Sequence, residues 1–271
     1  MSREHAMPYT IGRWVAIGLL TVVALSGAAA PWLAPHDPAA QLDLVALKNA
    51  SPSIAHLLGT DSFSRDVLSR ALYGARTSLV IGLLGALIAT AMAAVWGASA
   101  GWIRDGVGDA MMGGVDAVRA IPRKIVLLST LLFFPQPSIL TLAVLLGVTS
   151  WTATSRVIFV QMRVLRSREF VSSARAVGAS PLRILAVHVV PHLLPSLGSA
   201  SAILLADMLA TEAGLSFIGL GVRPPEASWG SILQDGIPYL SSAWWVVATP
   251  CVLLVLTVLS VSRLADSKAR P

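Results

Sequence analysis

The chain has 271 residues, 55% of them hydrophobic and only 13% charged, with a mean hydropathy of +0.73. Soluble domains carry roughly 25% charged residues, so an ordinary soluble fold is excluded and a protein in contact with membrane lipid is expected. The formal charge of +6 reads as Lys and Arg held on the cytoplasmic side and calls for no nucleic-acid partner. The lone cysteine, Cys251, leaves no intrachain disulfide or Cys-based metal cluster.

In chain order, the first apolar run follows Arg13 and extends from Trp14 to Leu25, ending near Ala28-Ala29-Ala30. Small residues there resemble a signal-peptide cut. Pro31 would follow it, so the run reads as an uncleaved first span over 14–33. Residues 34–76, with four basic residues balanced by four acids, are expected outside. They include "GTDSFSRDVLSRALYGARTSL", Gly59 to Leu79. Residues 77–101 are long enough for a second span, since a membrane helix needs about 20 apolar residues. Arg119, Arg123 and Lys124 interrupt the next region. Pro135 and Pro137 in "PQPS" favour a hairpin there, with helices over 109–134 and 138–158. Spans over 192–211 and 243–262 complete a count of six.

Orientation follows from the loops. Between Arg156 and Arg183 there are six arginines and one acid, Glu169, which places that loop in the cytoplasm. Both termini then lie inside, in keeping with Arg3, Arg13, Arg263, Lys268 and Arg270. Residues 213–242 fall outside, and Tyr239, Trp244 and Trp245 are expected in an outer aromatic belt. The organisation reads as an N-terminal span and external segment, 1–76, joined to a five-helix core domain, 77–271, with a cytoplasmic loop at 160–191.

Within that loop stands "EFVSSARAVGASPLRILAVHVVPHLLP", residues 169–195. Phe170, Val171, Ala174 and Val177 recur at helical spacing. Gly178 stands where a helix ends in the left-handed conformation. Ser180-Pro181 then reads as an N-cap followed by proline at the first helical position, and Pro191 is expected to end the second helix. Such punctuation predicts a rigid bracket across the cytoplasmic mouth. Further on, Asp207 falls inside the fifth span, where an ionised carboxylate is costly unless paired or facing water, and Glu212 lies nearer its outer end. The outer loop continues as "EAGLSFIGLGVRPPEASWGSIL", Glu212 to Leu233.

Three of these stretches resemble permease subunits of binding-protein-dependent ABC importers. That family's cytoplasmic motif is Glu-Ala-Ala, three residues, Gly, nine residues, then a hydrophobe two places before Leu-Pro. Here it appears as Ser172-Ser173-Ala174, Arg175-Ala176-Val177, Gly178 and, at its end, His188-Val189-Val190-Pro191. The segments at 59–79 and 212–233 are similar to the C-type permease of the dipeptide, oligopeptide and nickel branch. Departures are Ser172 for the leading Glu, Ser64 where Gly is usual, Arg123-Lys124 after Ile121-Pro122, and a shortened tail after Ser262.

The resemblance implies an all-α, six-span polytopic membrane protein with the type I ABC importer permease fold, in a bacterial or archaeal inner membrane. It implies a coupling helix that docks on an ATPase, through Ser172, Ser173, Ala174, Arg175, Gly178, Ala179, Ser180 and Pro181. The partners implied are a homologous second permease, two ATPase subunits or domains holding ATP and Mg, and an external substrate-binding protein. Asp207 and Glu212 are then candidates for the translocation path, and Arg223 and Trp229 for contact with the binding protein. The function implied is ATP-driven peptide import by alternating access. Alternatives are a nickel or metal-chelate importer and, more remotely, a membrane-embedded enzyme or an autonomous channel.

No phosphate-cradling Gly-x-x-x-x-Gly-Lys-Ser/Thr is present, so no cofactor is expected in this chain and hydrolysis falls to partners. His188 and His192 are spaced i, i+4, but no third ligand is near. No metal ligand is assigned.

Overall fold

A computed structural model describes residues 7–103 and 105–268. Arg3 and Arg270, used above for orientation, lie outside the described residues. Helix α1 covers Met7–Ala28, followed by the short α2, Ala30–Leu33. An irregular segment then leads to α3, Val67–Trp102, whose first turn is capped by the Asp66 side chain accepting from the Ser69 N–H. After α3 come α4, Asp105–Arg119, α5, Arg123–Leu131, and α6, Ile139–Arg166. Ser138 caps α6 at the expected hairpin, its hydroxyl accepting from the Thr141 N–H. Helix α7, Glu169–Ala176, and the single turn α8, Pro181–Arg183, precede α9, Val190–Phe217. Then α10, Trp229–Gly236, and α11, Trp244–Lys268, complete the order. Among the described residues there is no β-strand beyond an isolated bridge between Thr60 and Asp66.

Four stretches are long and apolar enough to cross a membrane: Val67–Trp102, Ile139–Arg166, Pro181–Phe217 and Trp244–Ala265. The apolar part of α1, Gly12–Ala28, is shorter. The expected third span, 109–134, is not one helix. It breaks at Ala120–Pro122 into α4 and α5, because Pro122 cannot donate to the ladder and pushes Ile121 out of the helical region. The expected stop at Pro191 is also absent. Residues Ile184–Val189 form a π-turn, and Val190 N–H reaches back five residues to Leu185 O. The widened turn makes room for a proline ring without ending the rod.

At the centre, α3 and α6 run parallel: Gly85 lies by Ala143 and Leu146, Gly97 by Ser155 and Ile158, Gly101 by Phe159 and Met162. The backbones nearly touch. A Cβ on Gly147 would sit 2.7 Å from the Ile88 Cβ, and one on Gly101 would sit 2.6 Å from the Met162 Cβ. One on Gly97 would strike the Ser155 carbonyl oxygen. Close approach of small residues lets dispersion and helix packing hold a bundle together in lipid, where no hydrophobic drive exists. Gly97→Ala is expected to cost about 1–3 kcal/mol by overpacking and to lower the melting temperature of the detergent-solubilised chain. Gly113→Ala, with open space at its Cβ, is the control that does not lower it, since Ala favours a helix over Gly.

Helix α9 runs against this pair in the opposite sense, with Leu205 and Leu209 at Gly82 and Met208 at Gly85. One apolar cluster joins Ile81, Ala89, Leu127, Leu142, Leu146 and Met208. The π-turn end of α9 closes on α6 and α7 through Met162, Val171, Ile184 and Leu193.

Candidate functional site

The bracket over 169–183 has the turn geometry that its punctuation implied. Gly178 has φ +85°. Its N–H donates to Arg175 O at 2.9 Å, and Ala179 N–H donates to Ala174 O at 3.0 Å. These two bonds form a Schellman ending, with Gly at the left-handed position. Ala174 and Ala179, the residues whose contact usually accompanies that motif, both pack on the Met162–Val171 cluster. Ser180 Oγ then accepts from Arg183 N–H at 3.4 Å, and Pro181 opens the next turn.

Val171 is fully buried, and Phe170 stacks on His192 with ring centroids 5.1 Å apart. Thus α7 is fastened to the base of α9, and Arg175 lies over the Trp102 ring at the end of α3. Ser172, Ser173, Arg175, Gly178, Ser180 and Pro181 all face outward. Two large apolar side chains project with them: Val177 is 89% exposed and Leu182 74%. Ser172 Oγ donates to Glu169 O at 2.8 Å, so at this position the hydroxyl serves its own helix. At position 172 the bracket therefore presents no carboxylate, and Val177 and Leu182 stand exposed beyond it.

A second feature runs up the side of the bundle. Helix α4 lies antiparallel to α6, and carboxylates on one meet guanidinium groups on the other. Asp105 pairs with Arg166, and with Arg163 at 3.3 Å; Asp109 pairs with Arg163 at 2.8 Å; Asp116 pairs with Arg156. At the break between α4 and α5, Arg123 Nη1 donates to Asp207 Oδ2 at 2.5 Å. Asp207 is ten residues from the end of α9, about 15 Å along a helix. This row of charges is half-exposed, with 45% of the Asp207 side chain uncovered. Arg123 is only partly satisfied, since its Nε and Nη2 atoms are buried without a hydrogen-bond partner.

Glu212 is placed differently from Asp207. It is 1% exposed and accepts from Ser78 Oγ at 2.9 Å and Ser216 Oγ at 2.7 Å. Ser78 Oγ in turn accepts from Trp229 N–H at 3.3 Å, so Glu212 fastens α9 to α3 and α10 and faces no open path. Trp229 also departs from expectation. It is fully buried and its indole donates to Ala71 O at 3.3 Å, where an external protein cannot touch it. Trp245, expected in an outer belt, is likewise buried and donates to Thr60 O at 3.2 Å, whereas Trp244 is 61% exposed. Arg223 is exposed, its guanidinium folded back on Gly219 O at 3.0 Å.

Sequence reasoning missed how the segment between α2 and α3 is held. Asp61 is fully buried. Its Oδ2 accepts from Arg65 Nε at 2.8 Å and from Arg70 Nη1, and its Oδ1 accepts from the Phe63 and Arg65 N–H groups. Both arginines also reach Asp235 on α10, at 2.7 and 2.9 Å. The i, i+4 spacing of Asp61 and Arg65 was readable, but Asp235 lies far along the chain. A second unforeseen cluster gathers His36, His56 and Asp66. His188 and His192 form no such group: His192 Nδ1 instead meets His188 O at 2.6 Å.

Comparison with known proteins supplies the context. Residues 93–270 match the family described as binding-protein-dependent transport system inner membrane component. The dipeptide transport system permease protein DppC of Escherichia coli K12 is 32% identical over 266 residues, covering 97% of this chain and 88% of the relative. The di/tripeptide transport system permease protein DppC of Pseudomonas aeruginosa is 32% identical over 241 residues, covering 88% and 79%. Among solved structures, a chain of the MetNI methionine ABC transporter in inward-facing conformations aligns with TM-score 0.54 and 18% identity. That alignment covers 73% of this chain and 95% of the other, and it shows a shared permease fold.

Proposed function

Since the chain belongs to the family of binding-protein-dependent transport system inner membrane components, we propose that it is the permease subunit of an ATP-driven importer of short peptides, working by alternating access. A homologous second permease, two ATPase subunits or domains that bind ATP and Mg, and an external binding protein complete the assembly. The cytoplasmic face is the one bearing α7, with both termini on that side. In this reading the bracket of α7 and α8 seats its Val177 and Leu182 knobs in a groove of the ATPase. Closure of the ATPases displaces the bracket, and α9, fixed to it by Phe170 and Val171, moves with it. A nucleotide shifts the permease only so far as it contacts the two states differently, which requires a bracket that does not yield.

The observation that carries the reading is the row of ion pairs from Asp105 to Asp207. Charges in a span are expensive against lipid and belong to a water-filled path or a protein interface. We assign the row to the path shared with the second permease, which its half-exposed charges support. At the end of the row farther from the bracket, Arg123 Nη1 holds Asp207, whose side chain is 45% uncovered. A peptide's ammonium end suits that carboxylate. Asp207→Asn is expected to slow uptake of charged dipeptides by roughly tenfold, the equivalent of about 1.4 kcal/mol, with insertion and basal ATPase activity retained. Radiolabelled uptake by proteoliposomes holding the assembly is the measurement. Unchanged rates for charged and neutral peptides alike would sink the path assignment.

A further inference from the structure

The external segment contains a group that the transport reading does not use. His36 follows α2, His56 lies in the loop, and Asp66 caps α3. His56 Nδ1 is 3.0 Å from Asp66 Oδ1, and His36 Nδ1 is 3.9 Å from the same oxygen. The two imidazoles lie tilted at 34° to one another with centroids 4.7 Å apart. All three donor atoms lie within 4.8 Å of one another. From these contacts we propose that His36, His56 and Asp66 form a binding site for a divalent transition-metal ion of the zinc class.

Two features separate this site from a hydrogen-bonded histidine cluster. His36 Nδ1 is buried and has no hydrogen-bond partner. A buried imidazole nitrogen without a protein partner, beside a carboxylate and a second imidazole, is a group whose partner a cation can supply. The carboxylate is also oriented by its surroundings. Asp66 Oδ2 accepts from the Ser69 N–H at 2.8 Å and from Ser69 Oγ at 2.7 Å. Ser69 Oγ in turn accepts from the backbone N–H of His36 at 3.1 Å. Oδ1 is left toward the imidazoles, and outer-shell bonds of this kind fix first-shell ligands.

The spacing suits the ion. With metal–ligand distances of about 2.0–2.2 Å, tetrahedral donors stand about 3.3 Å apart, and the observed 3.0 and 3.9 Å bracket that value. The His36 side chain is 31% exposed, so it has room to close the longer gap. Two imidazoles and one carboxylate leave a fourth position for water, and this donor set favours zinc and its first-row neighbours over magnesium or calcium. The ion ties the end of α2 to the start of α3 across the irregular chain between them. It acts as a fastener of the external segment.

The test uses the full-length chain purified in detergent without a polyhistidine tag, stripped with chelator and titrated with Zn²⁺ against a chromophoric competitor. One ion per chain is expected. Co²⁺ in its place is expected to show the intense visible bands of a four-coordinate site. His36→Gln is expected to lower affinity by more than the roughly 10–100-fold that loss of an outer-shell group costs, and to abolish the rise in melting temperature that Zn²⁺ gives the parent. His188→Gln and His192→Gln are expected to change neither. Absence of stoichiometric binding overturns the proposal, as does a His36→Gln chain that binds as tightly as the parent. His56→Gln is expected to lower the affinity likewise; should that buried variant fail to fold, the partly exposed His36 variant decides alone.

Discussion

Replacing Asp61 by asparagine is expected to lower the melting temperature of the solubilised chain by on the order of 10 °C. The carboxylate has no exposure and serves four donors at once. Oδ1 takes two backbone N–H groups, and Oδ2 takes Arg65 and Arg70. An amide of the same shape satisfies one of those pairs and turns its own NH₂ on the other. The Arg70 side chain, 2% exposed, then keeps only Asp235, which also serves Arg65. Removing one partner from a buried ionic cluster typically costs about 3–5 kcal/mol, because the remaining charge stays desolvated. Asp235→Asn is the milder variant, since that carboxylate is 22% exposed. Equal melting temperatures for parent and Asp61→Asn by differential scanning fluorimetry would refute the account.

Gly178→Val is expected to abolish ATP-coupled uptake while the chain still inserts and purifies normally. At φ +85° a β-branched residue is a genuine outlier, and holding it there costs about 1–3 kcal/mol. The turn has a cheaper option. It gives up the Ala179–Ala174 bond, and Val177 and Leu182 leave their positions. No atom lies within 4 Å of a Cβ at this site, so the damage stays local and the bundle is spared. Gly178→Asn makes the control, since Asn visits the left-handed region far more readily. Retained uptake in Gly178→Asn with loss in Gly178→Val assigns the effect to backbone shape. Uptake by Gly178→Val at the parental rate would mean that the bracket's shape does not matter.

Local signals survived folding well. Gly178, Ser180-Pro181 and the "PQPS" hairpin each act within one turn of chain, so spacing and residue type sufficed. Hydropathy located the long helices for the same reason, since the requirement for length is set by lipid and not by neighbours. What failed depended on partners distant in the chain. Glu212 and Trp229 looked accessible by position, yet the hydroxyl of Ser78 on α3 joins the two inside the fold. Pro191 carried a correct local rule, but a π-turn supplied a second way to obey it. Asp207 stood out as a costly charge without revealing that Arg123, noted only as a departure from its relatives, was its partner.

The backbone contact along Gly85, Gly97, Gly101 and Gly147 has a mechanical consequence. Two rods that meet main chain to main chain, each glycine notch filled by the opposite strut, can neither slide nor twist past one another without collision. They travel as a single beam. Any bending must therefore occur elsewhere, and the rod interrupted at Ala120–Pro122 is one place where the helical ladder is already broken.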